Sequence, residues 1–256
     1  MTHYLDVQAR LGGEFIHPGA RDLTEVLLSR AQLRPTDQAL EIGGGTGATA
    51  VLLAQRTDAR VHLLERSGLM LAAAQERFCA HSLSAQVTAT QADAGSAWPF
   101  AAAGFQLVYA ESVVALLDVQ HVLAEAVRVL RPGGRLIMNE RVWKAEISQS
   151  EVNRVNTFSR RVYGIPAATD RALDGGAWLQ LMRDAGLVDL SAEAVTALLP
   201  AERWRAPLAR RFNRLRRYAR HPDLMWQVWR AKWQNHRYGA LFANLESFLF
   251  TARKPT

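Results

Sequence analysis

Between residues 38 and 140, short apolar segments of strand character alternate with segments of helical periodicity. Residues 38–42 (QALEI), 60–65 (RVHLLE), 86–93, 105–110 (FQLVYA) and 135–139 (RLIMN) read as strands. Between them, residues 46–54 have helical character. Leu69, Met70, Ala73, Ala74, Arg77 and Phe78 recur at helical spacing behind Ser67, an N-cap residue. Val122, Leu123, Ala126, Val127 and Leu130 form a further helical stripe, stopped by Pro132-Gly133-Gly134. Strands separated by helices of this length imply parallel β-α-β units, right-handed crossovers and a doubly wound sheet with helices on both faces.

The first strand runs into Glu41-Ile42-Gly43-Gly44-Gly45-Thr46-Gly47. In an open parallel sheet, ligands bind beyond the carboxyl ends of the strands, and glycines there let backbone approach a ligand with no Cβ between. A phosphate-cradling P-loop needs Lys-Ser/Thr after its last glycine, whereas Gly47 is followed by Ala48-Thr49. The dinucleotide fingerprint is G-x-G-x-x-G, whereas this loop reads G-x-G-x-G behind an acid. An acid at the mouth of the loop disfavours a pyrophosphate, and with it a nicotinamide cofactor. Glu41 suits a ligand carrying an ammonium or a sulfonium. Glu65, about 20 residues beyond the loop, can accept from both hydroxyls of a ribose. Asp93 can accept from an adenine amino group while the Ala94 N–H donates to a ring nitrogen; the alternative is a turn cap.

Five segments in order, ALEIGGGTGATA, HLLERSGLMLAAA, ATQADA, WPFAAAGFQLVYAESVV and LAEAVRVLRPGGRLIMNE, resemble the successive motifs of class I S-adenosylmethionine-dependent methyltransferases. RVLRPGG resembles the small-molecule, ubiquinone/menaquinone-methyltransferase-like branch, and the SFLFTARKP tail is similar to that family's last strand. The resemblance implies a Rossmann-like α/β fold: a doubly wound, seven-stranded, mostly parallel sheet with a reversed last strand, plus a helical cap. It implies S-adenosylmethionine as cofactor and S-adenosylhomocysteine as product. Gly43, Gly45 and Gly47 would back the methionine moiety, Glu65 the ribose, Arg66 the adenine face, and Asp93 with Ala94 the adenine edge. Glu111 follows strand four, where the family presents backbone to the methionyl amine and the acceptor. Tyr109-Ala110-Glu111-Ser112 is not the Asp/Asn-Pro-Pro-Tyr/Phe motif of enzymes that methylate nucleic-acid amino groups, which argues against nucleic acid as the acceptor.

Methyl transfer from a sulfonium needs alignment of nucleophile, carbon and sulfur, and a base only if the nucleophile must lose a proton. The base candidates are His17, in a segment that in this family closes over the cofactor, and Glu111 and Glu140, which follow strands four and five and are expected on the acceptor side. Tyr4, Trp143 and Tyr163 either wall an apolar or aromatic acceptor pocket or pack in the core.

The expected organisation is an N-terminal helical segment (1–35, with a helix near 23–31), a Rossmann-like core (36–194 and 245–256) and a helical insertion (195–244). The net charge is +7, but residues 200–240 hold eleven Arg and Lys against two acids, so the rest of the chain is slightly acidic. Leu208, Phe212, Leu215 and Ala219 follow helical spacing among arginines, and Trp226, Trp229 and Trp233 share a helix face. Three readings stand open for this insertion: a cap packed on the core, a lid over an apolar or anionic acceptor, or a surface for anionic headgroups or nucleic acid. One cysteine, Cys79, excludes an internal disulfide and a Cys-built metal centre. No apolar run nears the ~18 residues of a membrane span, no secretory leader is evident, and a cytoplasmic location is the default expectation. The function expected is methyl transfer to a small molecule; the alternatives are an RNA or protein methyltransferase using the basic cap, and a cofactor-binding module without turnover.

Overall fold

The computed structural model describes residues 4–199 and 222–256. Its centre is a seven-stranded sheet in the order β3-β2-β1-β4-β5-β7-β6. The strands are β1 (Gln38–Ile42), β2 (Arg60–Glu65), β3 (Val87–Gln91), β4 (Phe105–Glu111), β5 (Leu130–Trp143), β6 (Val188–Ala194) and β7 (Leu245–Arg253). The pairs β3–β2, β2–β1, β1–β4 and β4–β5 are parallel, and β7 runs antiparallel between β5 and β6. The strand order reverses next to β1, so the crevice at the carboxyl ends of β1 and β4 is the topological switch point where such sheets take ligands.

The helices are α1 (Tyr4–Arg10), α2 (Ala20–Ala31), α3 (Ala48–Thr57), α4 (Gly68–Ala80), α5 (Val119–Val129), α6 (Gln149–Tyr163), α7 (Gly175–Asp184), α8 (Val195–Leu198) and α9 (Pro222–Tyr238). Alternating side chains divide the core in two. Ala39, Val61, Leu63, Leu107, Tyr109 and Ile137 pack against α2, α3 and α4. Leu40, Ile42, Val108, Ala110, Leu136 and Met138 pack against α5 and α7. Ser67 caps α4 as the sequence suggests, accepting from the Met70 amide at 3.3 Å.

Several sequence expectations shift. Strand β5 spans Leu130–Trp143, much longer than the apolar core at 135–139, because β4 and β7 hydrogen-bond it on both sides. Helix α1 was not expected; its Val7, with Leu11 just beyond it, buries against Leu224 and Val228 of α9. Within 195–243 the described helices are α8, α9 and a 3-10 turn at Gly239–Phe242; the basic stripe at 208–219 and Trp204 lie outside the described residues. The indoles of α9 face outward: Trp226, Trp229 and Trp233 are 62%, 56% and 45% exposed, while Leu224 and Val228 carry the packing. Trp143 is core, fully buried, with its indole N–H donating to the Thr169 carbonyl at 2.8 Å. Tyr163 is half-buried, and the Tyr4 side chain lies outside the described residues.

Candidate active site

The β1–α3 loop reverses the chain through three left-handed glycines, with φ of +63° at Gly43, +54° at Gly45 and +72° at Gly47. A Cβ on Gly43 would lie 2.6 Å from Val113, and one on Gly47 would lie 2.5 Å from the Phe78 ring. These two glycines seat the loop on its own core. A Cβ on Gly45 would meet nothing within 4 Å. Its backbone therefore faces open space, the cradle that a ligand's backbone-directed groups need.

Three acids gather on the α2–α3–α4 face of the sheet beneath this loop. Glu41 pairs in register with Leu63 and Tyr109, while Glu65 and Glu111 end β2 and β4. Glu41 is buried, and Tyr109 donates its phenol to Glu41 Oε2 at 3.1 Å. Burial, with Glu111 and then Glu65 as like-charged neighbours, raises its pKa well above the carboxylate range, against the lowering effect of the Tyr109 bond. Glu65 clamps the loop: Oε2 accepts from the Gly45 amide at 3.0 Å and Oε1 from the Ser67 amide at 2.8 Å. Next to it, Arg66 is exposed. Asp93 is exposed and accepts from the Gly95 amide at 2.9 Å, the Asx turn foreseen as its alternative, while Ala94 is buried.

Glu111 is the hub of the next cluster. His17 Nε2 lies 3.0 Å from Glu111 Oε2, Thr24 Oγ1 donates to Oε2 at 2.9 Å, and Thr49 Oγ1 donates to Oε1 at 2.8 Å. The side chains of His17 and Glu111 are 6% and 5% exposed. The other imidazole nitrogen, Nδ1, is 3.1 Å from Asn139 Nδ2 and from the Pro18 carbonyl. Thr49 lies in the first turn of α3, where the helix dipole favours a carboxylate. Sequence reasoning missed Thr24, Thr49 and Asn139. Asn139 had a signal, as the last residue of the strand expected at 135–139, and it pairs in register with Glu111 at the end of β4; Thr24 had none.

The N-terminal segment is fastened further to the loop, to α4 and to β5. Thr46 Oγ1 donates to the Gly13 carbonyl at 2.6 Å, Arg77 donates to Glu14 at 3.1 Å, and Asn139 Nδ2 donates to the Pro18 carbonyl at 3.3 Å. His17, Glu111 and the glycine loop thus form one assembly.

Glu140 requires a correction. It lies inside β5 and faces away from Asn139, onto the α5 side, with no exposed surface. Its oxygens accept from the Val113, Val114 and Ala115 amides at 3.1, 2.9 and 3.2 Å. Burial raises its pKa to about 7 in spite of those three donors. Both oxygens hold the turn after β4, where Ser112 adopts a left-handed φ of +59°. Glu140 therefore presents no carboxylate to an acceptor.

The residues fit a sulfonium cofactor. The cradle at Gly45 is open, the acids beneath it suit a cationic ligand and repel a phosphate, and the Ser112 hydroxyl beside Glu111 is buried without a hydrogen-bond partner. Among the described residues no three His, Cys, Asp or Glu are placed to hold a metal ion, and no helix is long and apolar enough to cross a membrane.

Sheet order, reversed strand and loop define the architecture of class I S-adenosylmethionine-dependent methyltransferases. Residues 39–134 match the methyltransferase domain family. The uncharacterized methyltransferase YodH of Bacillus subtilis (strain 168) is 29% identical over 202 residues, 79% of this chain and 80% of that protein. The 27-O-demethylrifamycin SV methyltransferase of Amycolatopsis mediterranei (strain S699) is 29% identical over 231 residues, 84% of this chain and 81% of that protein. A putative sarcosine dimethylglycine methyltransferase from Galdieria sulphuraria shares the fold, with a TM-score of 0.74 at 16% identity over 97% of this chain and 96% of that one. The chain is an S-adenosylmethionine-dependent methyltransferase.

Proposed function

We propose that the enzyme methylates a hydroxyl-bearing small molecule, with His17 as the base and Glu111 as the residue that orients it. The observation that carries this reading is the buried His17–Glu111 pair beside the open glycine cradle. When bound, S-adenosylmethionine supplies an activated methyl group on a sulfonium, so the chain's own task is alignment and removal of one proton. Gly43, Gly45 and Gly47 back the methionine moiety. Glu65 exchanges the Gly45 amide for the ribose hydroxyls, Arg66 lies over the adenine, and Asp93 with Ala94 reads its edge. Glu111 supplies negative potential beneath the cationic groups, and Glu41, whose buried carboxyl favours the neutral form, adds to it once binding draws off its proton.

Glu111 accepts from His17 Nε2–H, which leaves the Nδ1 lone pair as the basic position. In the structure Nδ1 faces the Asn139 amide, so an acceptor hydroxyl takes that amide's place and gives its proton to Nδ1. The N-terminal segment carries His17 into place beside Glu111. The rifamycin relative is named for methylating a small molecule, which supports an acceptor of that size. The quinone-methyltransferase-like motifs of the sequence favour an aromatic one.

The test is methyl transfer from isotopically labelled S-adenosylmethionine to a panel of phenols and quinols, with bulk RNA and protein as comparison acceptors. Labelling of a phenol by wild type, lowered at least ~100-fold in His17→Ala by loss of a general base, supports the reading. Labelling of RNA or protein alone contradicts it.

A further inference from the structure

Five arginines are half-buried among the described residues: Arg30, Arg77, Arg128, Arg135 and Arg141. Four have oxygen partners. Arg30 pairs with Glu193, Arg77 with Glu14 and the Thr46 carbonyl, Arg128 with Glu125, and Arg135 with Gln32. The Arg141 guanidinium has no hydrogen bond or ion pair with any described residue. Burial lowers the pKa of the guanidinium, and among the described residues the ionisable group that acts on it is Tyr163, at the end of α6. Guanidinium remains charged in proteins, so this half-buried one, with no oxygen partner among the described residues, gains a charge-assisted partner when a ligand brings an oxyanion to it.

The position of Arg141 indicates which ligand that is. Side chains alternate along β5, so Arg141 faces the same side as Asn139, whose amide meets His17. Two residues of strand place it roughly 7 Å beyond Asn139, past the carboxyl end of β4 and away from the glycine loop. It flanks the acceptor's place next to His17 and lies outside the cofactor's.

We propose that Arg141 binds an oxyanion, a carboxylate or a phosphate monoester, carried by the methyl acceptor about one aromatic ring away from the hydroxyl that is methylated. A guanidinium fork matches either group with two parallel hydrogen bonds. The inference rests on the reading of His17 as the acceptor-side base, and it narrows the acceptor to an anionic aromatic or similarly short molecule.

The experiment is calorimetric titration of the S-adenosylhomocysteine-loaded enzyme with 4-hydroxybenzoate, 4-hydroxyphenyl phosphate and the neutral 4-hydroxybenzamide. Wild type, Arg141→Gln and Arg141→Lys are compared, each first titrated with S-adenosylhomocysteine. The expected result is that one anion binds at least about tenfold more tightly than the amide, a charge-assisted contact's worth. The anion preferred identifies carboxylate or phosphate. The preference should vanish in Arg141→Gln and partly return in Arg141→Lys, with S-adenosylhomocysteine affinity equal in all three. No preference for an anion in wild type, no binding of any probe, or a preference that survives in Arg141→Gln overturns the proposal while the cofactor site stands. Failure of wild type to bind S-adenosylhomocysteine removes the reading beneath it as well.

Discussion

The Glu111 carboxylate at the end of β4 lies 3.0 Å from the His17 imidazole, joining the N-terminal segment to the centre of the sheet. Thr24 and Thr49 donate to the same carboxylate from α2 and α3, so one side chain ties together four parts of the fold beside the glycine loop. Glu111→Ala leaves these donors without their acceptor. It is expected to cost about 1–3 kcal/mol, read from the urea midpoint, and to raise amide exchange at residues 13–24 more than in the core.

Glu140 gives the stability an unusual pH dependence. Its pKa is about 7 in the folded protein against 4.5 for an ordinary glutamate, so between these values the folded state binds more protons than the unfolded. Its contribution is therefore most favourable below pH 4.5 and declines as pH rises to about 7, by about 3 kcal/mol for a shift of this size. Glu140→Gln removes that slope. It also turns an amide N–H₂ toward the backbone donors, at a cost of about 1–3 kcal/mol. Urea midpoints of both proteins between pH 4.5 and 7.5 check the point.

Two glycines of one loop should answer differently to the same substitution. Gly47→Ala pushes a Cβ into Phe78 at 2.5 Å and is expected to destabilise the protein by about 2 kcal/mol or more. Gly45→Ala meets no neighbour and bears only the left-handed φ, about 1 kcal/mol. Its methyl group stands in the cradle, so affinity for S-adenosylhomocysteine should fall at least ~10-fold, since ligand and Cβ compete for one space. Thermal unfolding and calorimetry on the pair separate the two effects.

Glu41 should couple cofactor binding to proton release. Burial beside two acids favours its neutral form. A cation brought near lowers that pKa, so binding expels a proton, and more so for S-adenosylmethionine than for S-adenosylhomocysteine, which lacks the sulfonium charge. Binding enthalpies measured in buffers of different ionisation enthalpy read the proton count, and Glu41→Gln should abolish the difference.

The parts of the fold that depend on local chemistry were legible in the residues. The loop at 43–47 announces itself because three positive-φ positions demand glycine, and the alternation of β1, α3, β2, α4 and β3, and again of β4, α5 and β5, follows from periodicity. The Ser67 cap was readable for the same reason. What stayed hidden is set by tertiary contact. Asn139 and Glu140 are neighbours, so one must face each side of β5, but only the packed sheet shows that Asn139 meets His17 while Glu140 is sealed under the 113–115 amides. Helix α1 is short and weakly patterned, and it is held by Leu224 and Val228 from the far end of the chain.

We assign the cofactor to the open loop above Glu65. Calorimetric titration of wild type and Glu65→Ala with S-adenosylhomocysteine, alongside NADH, tests it most directly. Wild type is expected to bind S-adenosylhomocysteine at micromolar concentration and NADH not at all, with an affinity about 10- to 100-fold lower in Glu65→Ala, where the ribose hydroxyls lose their charged acceptor. Equal affinity in the folded variant, or a preference for NADH, would contradict it.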